Sequence, residues 1–186
     1  MIKLIRVLLI VVGLWQSMEV MGQQPWDYDD HQLSLTIPEI SLLAIAPANE
    51  VIKLELGIPG FTGGTGQGSS PTNEKTWINY TSTIEPQASH KRILVQITSG
   101  EIPSGLTIEL STYACSTGNG VVGTAGSTIE LSATQQTLVT GIGGAKTGKG
   151  KDHGHKLKYE LKLDDLDQLE FEESQTYITV TYTISD

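Results

Sequence analysis

The sequence predicts an all-β protein, an immunoglobulin-like antiparallel β-sandwich of about eight to ten strands. Three observations predict it. Apolar residues recur at every second position through most of the hydrophobic runs. Those runs are rich in Val, Ile, Thr and Tyr, whose shapes suit a half-buried pleated surface. Helical spacing appears only in "LDDLDQLEFEE" (163–173), where Leu163, Leu166 and Leu169 stand three apart, enough for at most one turn.

The first 22 residues read as a segment outside the fold. Lys3 and Arg6 precede the apolar run Val7 to Trp15, and Val20-Met21-Gly22 then places small or aliphatic residues at the −3 and −1 positions of a cleavage site. That is the layout of a secretory signal peptide, too short to span a bilayer comfortably. Residues 23–32, "QQPWDYDDHQ", read as a flexible acidic arm, and residues 33–186 as one sandwich domain. An exported chain of this kind belongs in the periplasm, at the cell surface or outside the cell, with no membrane insertion once the signal is removed.

Strand candidates follow in order. "QLSLTI" (32–37) and "ISLLAI" (40–45) are separated by Pro38, which confines the first to an edge or breaks the run in two. "VIKLEL" (51–56) alternates, and residues 60–75, "GFTGGTGQGSSPTNEK", read as a mobile loop. "TWINYTSTI" (76–84) and "RILVQIT" (92–98) come next. In "SGEIPSG" Pro103 and Gly105 suit the second and fourth positions of a type I turn, ahead of "GLTIELST" (105–112). "STIELS" (127–132) and "QTLVTGI" (136–142) are further candidates, and the pentamer "TIELS" occurs at both 107–111 and 128–132, as related strands would. "HKLKYELKL" sets Leu157, Tyr159, Leu161 and Leu163 opposite Lys156, Lys158, Glu160 and Lys162, and "TYITVTYTIS" (176–185) closes the pattern.

Charge narrows the partners. The chain carries 12 basic and 21 acidic residues, net −9, and loss of Lys3, Arg6 and Glu19 with the signal leaves −10. Nucleic acid and anionic membrane surfaces are therefore poor partners, since binding there rests on basic groups. Cys115 is the single cysteine, so no intrachain disulfide forms, and a small buried thiol is its expected state.

Residues 141–155, "GIGGAKTGKGKDHGH", hold the densest chemistry. The spacing of Gly143, Gly148 and Lys149 approaches a phosphate-binding loop, but Gly150 stands where a hydroxyl is needed and a strand follows where a helix should. The glycines read as a connection between strands. His153 and His155 are two apart, so on an extended segment they would point the same way and, with Asp152, offer ligands to zinc or copper. The acidic stretches 27–30 and 164–173 suggest calcium, although neither has the glycine of an EF-hand loop. No cofactor is otherwise implied.

Hydrolytic catalysis finds no Gly-x-Ser-x-Gly elbow and no setting for Cys115, so the chain reads as a non-enzyme. Trp77 and Tyr80 in "WINYTS" are candidates to stack on a glycan, or to fill a core. Asn79-Tyr80-Thr81 is a glycosylation sequon.

"LTIPEISLLAI", "WINYTS", "VQITSGEIPSGLTIEL", "GKGKDHGHKLKYEL" and "VTYTISD", in that order, resemble the segments of small secreted bacterial β-sandwich proteins, which are distantly similar to pilus-subunit and adhesin-like domains. The resemblance covers residues 33–186. It implies an exported sandwich with a structural, adhesive or assembly role, whose partners are itself or other surface proteins. The second expectation is an extracytoplasmic glycan-binding module.

Overall fold

A computed structural model describes residues 31–56, 70–169 and 175–186 of the chain. The signal-like segment 1–22, the acidic stretch 27–30 and most of the glycine-rich stretch 60–75 lie outside the described residues. Nine strands run through the described part, all paired antiparallel, so the predicted all-β class holds. They are β1 Ser41–Ala46, β2 Thr72–Ser82, β3 Lys91–Ser99, β4 Leu106–Thr112, β5 Asn119–Ala125, β6 Ile129–Glu130, β7 Gln136–Lys146, β8 His155–Leu163 and β9 Thr179–Ser185. The single helical feature among the described residues is a 3-10 turn, Leu166–Gln168, where Asp165 accepts from the amide of Asp167.

The strands form one continuous sheet in the order β6-β4-β8-β2-β7-β3-β9, with β1 added to β2 and β5 to β7. β2 makes this continuity. Its Thr72–Ile78 stretch pairs with β8, and its last residues, Thr81 and Ser82, pair with Lys146 and Ala145 of β7. The sheet is also folded over on itself. Tyr159 of β8 and Tyr182 of β9 touch through their hydroxyls although β2, β7 and β3 separate them in the sheet order. Between the two halves lie Ile78, Ile93, Val95, Leu110, Leu138, Ile142 and Leu157, all almost completely buried.

The alternation in the sequence accounts for this core. In β8 Leu157, Tyr159 and Leu161 are buried while Lys156, Lys158, Glu160 and Lys162 face outward, and their charges close into pairs. Lys156 binds Glu74 of β2 at 2.6 Å, Lys158 binds Glu160 at 2.9 Å, and Lys162 binds Glu109 of β4. A second ionic tie joins three elements at one corner. The Lys91 ammonium is 4% exposed and donates to Glu39 at 2.5 Å and to Ser41 Oγ at 2.6 Å, with Asp186 at 3.6 Å. The bond to Glu39 raises the Lys91 pKa, against the opposing effect of burial.

The structure corrects several sequence expectations. Residues 32–37 and 51–56 alternate but make no ladder, so the first strand is Ser41–Ala46. Thr72–Lys75, assigned to the loop, already belongs to β2. The strand candidate 136–142 continues through residues 143–146, read as connection, to make β7, so only residues 147–154 cross between strands. β5 is an unforeseen strand. Its glycines permit a close approach to β7 that no side chain would allow: a Cβ on Gly120 would lie 2.0 Å from the Gly144 carbonyl oxygen. The turn near Pro103 is displaced by one residue, the Leu106 amide bonding to the Pro103 carbonyl with Gly105 third. The two copies of "TIELS" are neighbours, Leu110 opposite Ile129 and Glu109 opposite Glu130.

Two outcomes follow from this packing. Leu157→Ala, at a side chain with 0% exposure, lowers stability by about 3 kcal/mol in urea unfolding, and Leu163→Ala, 42% exposed, by less than about 1 kcal/mol. The second concerns alkali. Burial raises Tyr159 to about 12, the bond from Tyr182 only partly offsetting it, and burial first and Tyr159 second raise Tyr182 well above its ordinary value. The folded state thus holds these phenols neutral after the unfolded chain would ionise them. Their stabilisation is complete below about pH 10 and is lost as pH climbs toward about 12. Tyrosinate absorbance followed alongside circular dichroism should show part of the tyrosine signal appearing only with unfolding.

Candidate functional site

The predicted site residues converge on one end of the sandwich, where β2, the start of β8, β5 and the 147–154 crossing meet. They do not form the site expected. Tyr80 is 3% exposed and His155 0% exposed, their rings stacked with centroids 5.9 Å apart. The Tyr80 hydroxyl donates to the carbonyl of Val122 on β5 and lies 3.0 Å from His155 Nε2. His155 Nε2 is also 3.2 Å from that carbonyl, and Nδ1 lies 2.9 Å from the Tyr113 carbonyl, so Nδ1 carries a proton and donates. Burial, with a smaller contribution from Cys115, pushes the Tyr80 hydroxyl far above the ordinary phenol range. Between Gly120 and Val122 the β5–β7 register shifts, and the Val122 carbonyl accepts from the Tyr80 hydroxyl across the core.

The crossing is fastened from the same strand. Asn79, 4% exposed, donates from Nδ2 to the His153 carbonyl at 2.6 Å and accepts from the Gly150 amide at 2.7 Å. Thr147 Oγ1 accepts from the Tyr80 amide at 2.9 Å, and Thr117 Oγ1 accepts from Gly154 and donates to the Thr147 carbonyl. Cys115 is half-buried and its thiol donates to the Thr117 carbonyl at 2.7 Å. This is a cluster of polar groups partnered with one another and with backbone, closed against substrate.

The metal reading of Asp152, His153 and His155 is corrected by one residue. Gly154 has φ 75°, and a Cβ there would lie 2.1 Å from the Ile78 carbonyl oxygen. This turn ends the parity of an extended chain, so the two histidines part company. His153 stays exposed with Nδ1 on the Lys151 carbonyl, and His155 enters the core with Nδ1 on the Tyr113 carbonyl and Nε2 facing the Tyr80 hydroxyl. Among the described residues no three His, Cys, Asp or Glu side chains come together as a metal would require. Gly148 and Lys149 lie in a turn between β7 and β8, with no helix to face a phosphate.

The glycan reading divides. Tyr80 is enclosed and cannot offer a ring face to a sugar. Trp77, three residues earlier on the strand, faces the opposite side and is half-buried on the outer surface of the sheet. It stands in a cross-strand row. Trp77 is opposite Ala46 on one side and Lys156 on the other, and the Tyr113 amide bonds to the Lys156 carbonyl, which places Tyr113 next in the row. Lys156 Nζ lies 5.4 Å from the centre of the Tyr113 ring, and Glu74 accepts from both Lys156 at 2.6 Å and the Tyr113 hydroxyl at 3.4 Å. The bond to Glu74 raises the Lys156 pKa, and the same bond, with burial opposing, lowers that of Glu74. Sequence reasoning missed Tyr113, Lys156 and Glu74 as a group because they come from three strands, and only the register aligns them.

No family model, curated protein or solved structure matches this chain. Removal of the Tyr80 hydroxyl leaves the Val122 carbonyl without its principal donor, so Tyr80→Phe lowers unfolding free energy by about 1–3 kcal/mol. Gly154→Ala should be the more damaging of the two, since it must displace backbone. Urea midpoints of the two variants test the order.

Proposed function

We propose that this chain is a non-enzymatic exported protein of the cell envelope or surface, acting by assembly and adhesion. The observation that carries the proposal is an uncovered apolar stripe ahead of the first strand. Leu33, Leu35 and Ile37 alternate along the chain, make no ladder and are 87%, 81% and 74% exposed. Three large apolar side chains at that spacing are suited to becoming one face of a strand once an edge accepts them. β9 offers an edge of that kind. It pairs only with β3 among the described residues, and its sequence, "TVTYTIS", carries none of the lysines or prolines that guard exposed edges. Strand addition from the stripe of one copy to β9 of the next would cover both. The export reading is supported by the charged and apolar pattern of residues 1–22.

Light scattering on the form 23–186 tests the reading. The parent protein should give a mass that rises with concentration, and the double variant Leu33→Glu, Leu35→Glu should give a monomer with unchanged circular dichroism. A parent that stays monomeric throughout, or a variant that associates equally well, would remove the assembly proposal.

A further inference from the structure

The row Trp77, Lys156, Tyr113 crosses β2, β8 and the end of β4 on the outer sheet face. Two aromatic side chains flank an ion pair whose members already bond each other. The rings stand two strand spacings apart, roughly 10 Å, on one face of the sheet. Tyr113 is 44% exposed, and the Lys156 and Glu74 side chains are 36% and 39% exposed, so the row is open to a partner.

The chemistry of the row selects its partner. Lys156 and Glu74 cancel, and the neighbouring pairs Lys158–Glu160 and Lys162–Glu109 cancel too, so this face presents donors and acceptors with little net charge. A polyanion meets no basic excess here and is repelled by a chain of net charge −9. An apolar protein surface would have to bury the ion pair between the rings, at a desolvation cost with no compensating bond. A flat ligand with C–H faces for the rings and hydroxyls for the ion pair meets neither penalty. We infer that this row is a binding platform for a neutral polysaccharide, with Trp77 and Tyr113 stacking on sugar rings and Lys156 and Glu74 bonding hydroxyls between them. The inference is independent of self-assembly, since the row and the 33–37 stripe share no residue.

Native affinity electrophoresis of the form 23–186 is the test, in gels containing hydroxyethylcellulose, laminarin, galactomannan or, as the anionic contrast, alginate. At least one neutral polymer should retard the parent protein. Tyr113→Ala should weaken that retardation about tenfold, the loss of one aromatic contact. Trp77→Phe, which keeps an apolar ring in the partly buried position, should weaken it less, with thermal melts confirming that both variants fold. Migration unaffected by every neutral polymer, retardation by alginate alone, or retardation that survives Tyr113→Ala would each overturn the platform. The Leu33→Glu, Leu35→Glu variant separates the two proposals, because a platform of this kind binds equally well in the monomer.

Discussion

Most of this architecture depends on β2 serving two halves of a sheet at once. Its eleven residues pair with β8 at one end, with β7 at the other, and with β1 along the second half of its free side. The change of partner from β8 to β7 falls between Ile78 and Thr81, beyond the register shift at Asn73–Thr76 that lies within the β8 pairing. Because the same strand belongs to both halves, the sheet folds over without breaking its ladder, and the inward side chains of the two halves meet as one core. The Lys91 corner and the Tyr159–Tyr182 contact then close the sides left open by that fold.

The strands legible from sequence are those with one wet face. β3, β4, β8 and β9 alternate because one side meets the core and the other meets water, and this contrast is what a period of two records. Alternation was not sufficient, since residues 32–37 and 51–56 carry it without pairing. It was not necessary either. β5 has the glycines of a loop, yet its backbone fits against β7 where side chains would not. The site followed the same logic. Trp77 could be placed on a strand, but an odd spacing puts Tyr80 on the opposite face, and its burial depends on His155, seventy-five residues away. The histidine pair misled because parity along an extended chain fails at a single glycine with positive φ.

The outward face of β8 illustrates how local composition and surface character can diverge. Three lysines and one glutamate among residues 156–163 would read as a basic patch, but the structure supplies the counter-charges from β2, from β4 and from β8 itself. Each exposed pair adds little stability, commonly below about 1 kcal/mol. Their larger effect is on character, turning a basic stripe into a neutral, hydrogen-bonding surface on an otherwise acidic protein.

The Tyr80–His155–Val122 junction has a further meaning for β5. Glycine-rich and with little apolar pattern, that strand has few side chains with which to recognise its proper alignment on β7, and strands of that sort slip easily. Sliding it by one residue would carry the Val122 carbonyl away from Tyr80 and cost the buried phenol that acceptor. The buried cluster therefore acts as a proofreading device. It contributes less by strengthening the correct alignment than by making every neighbouring one untenable.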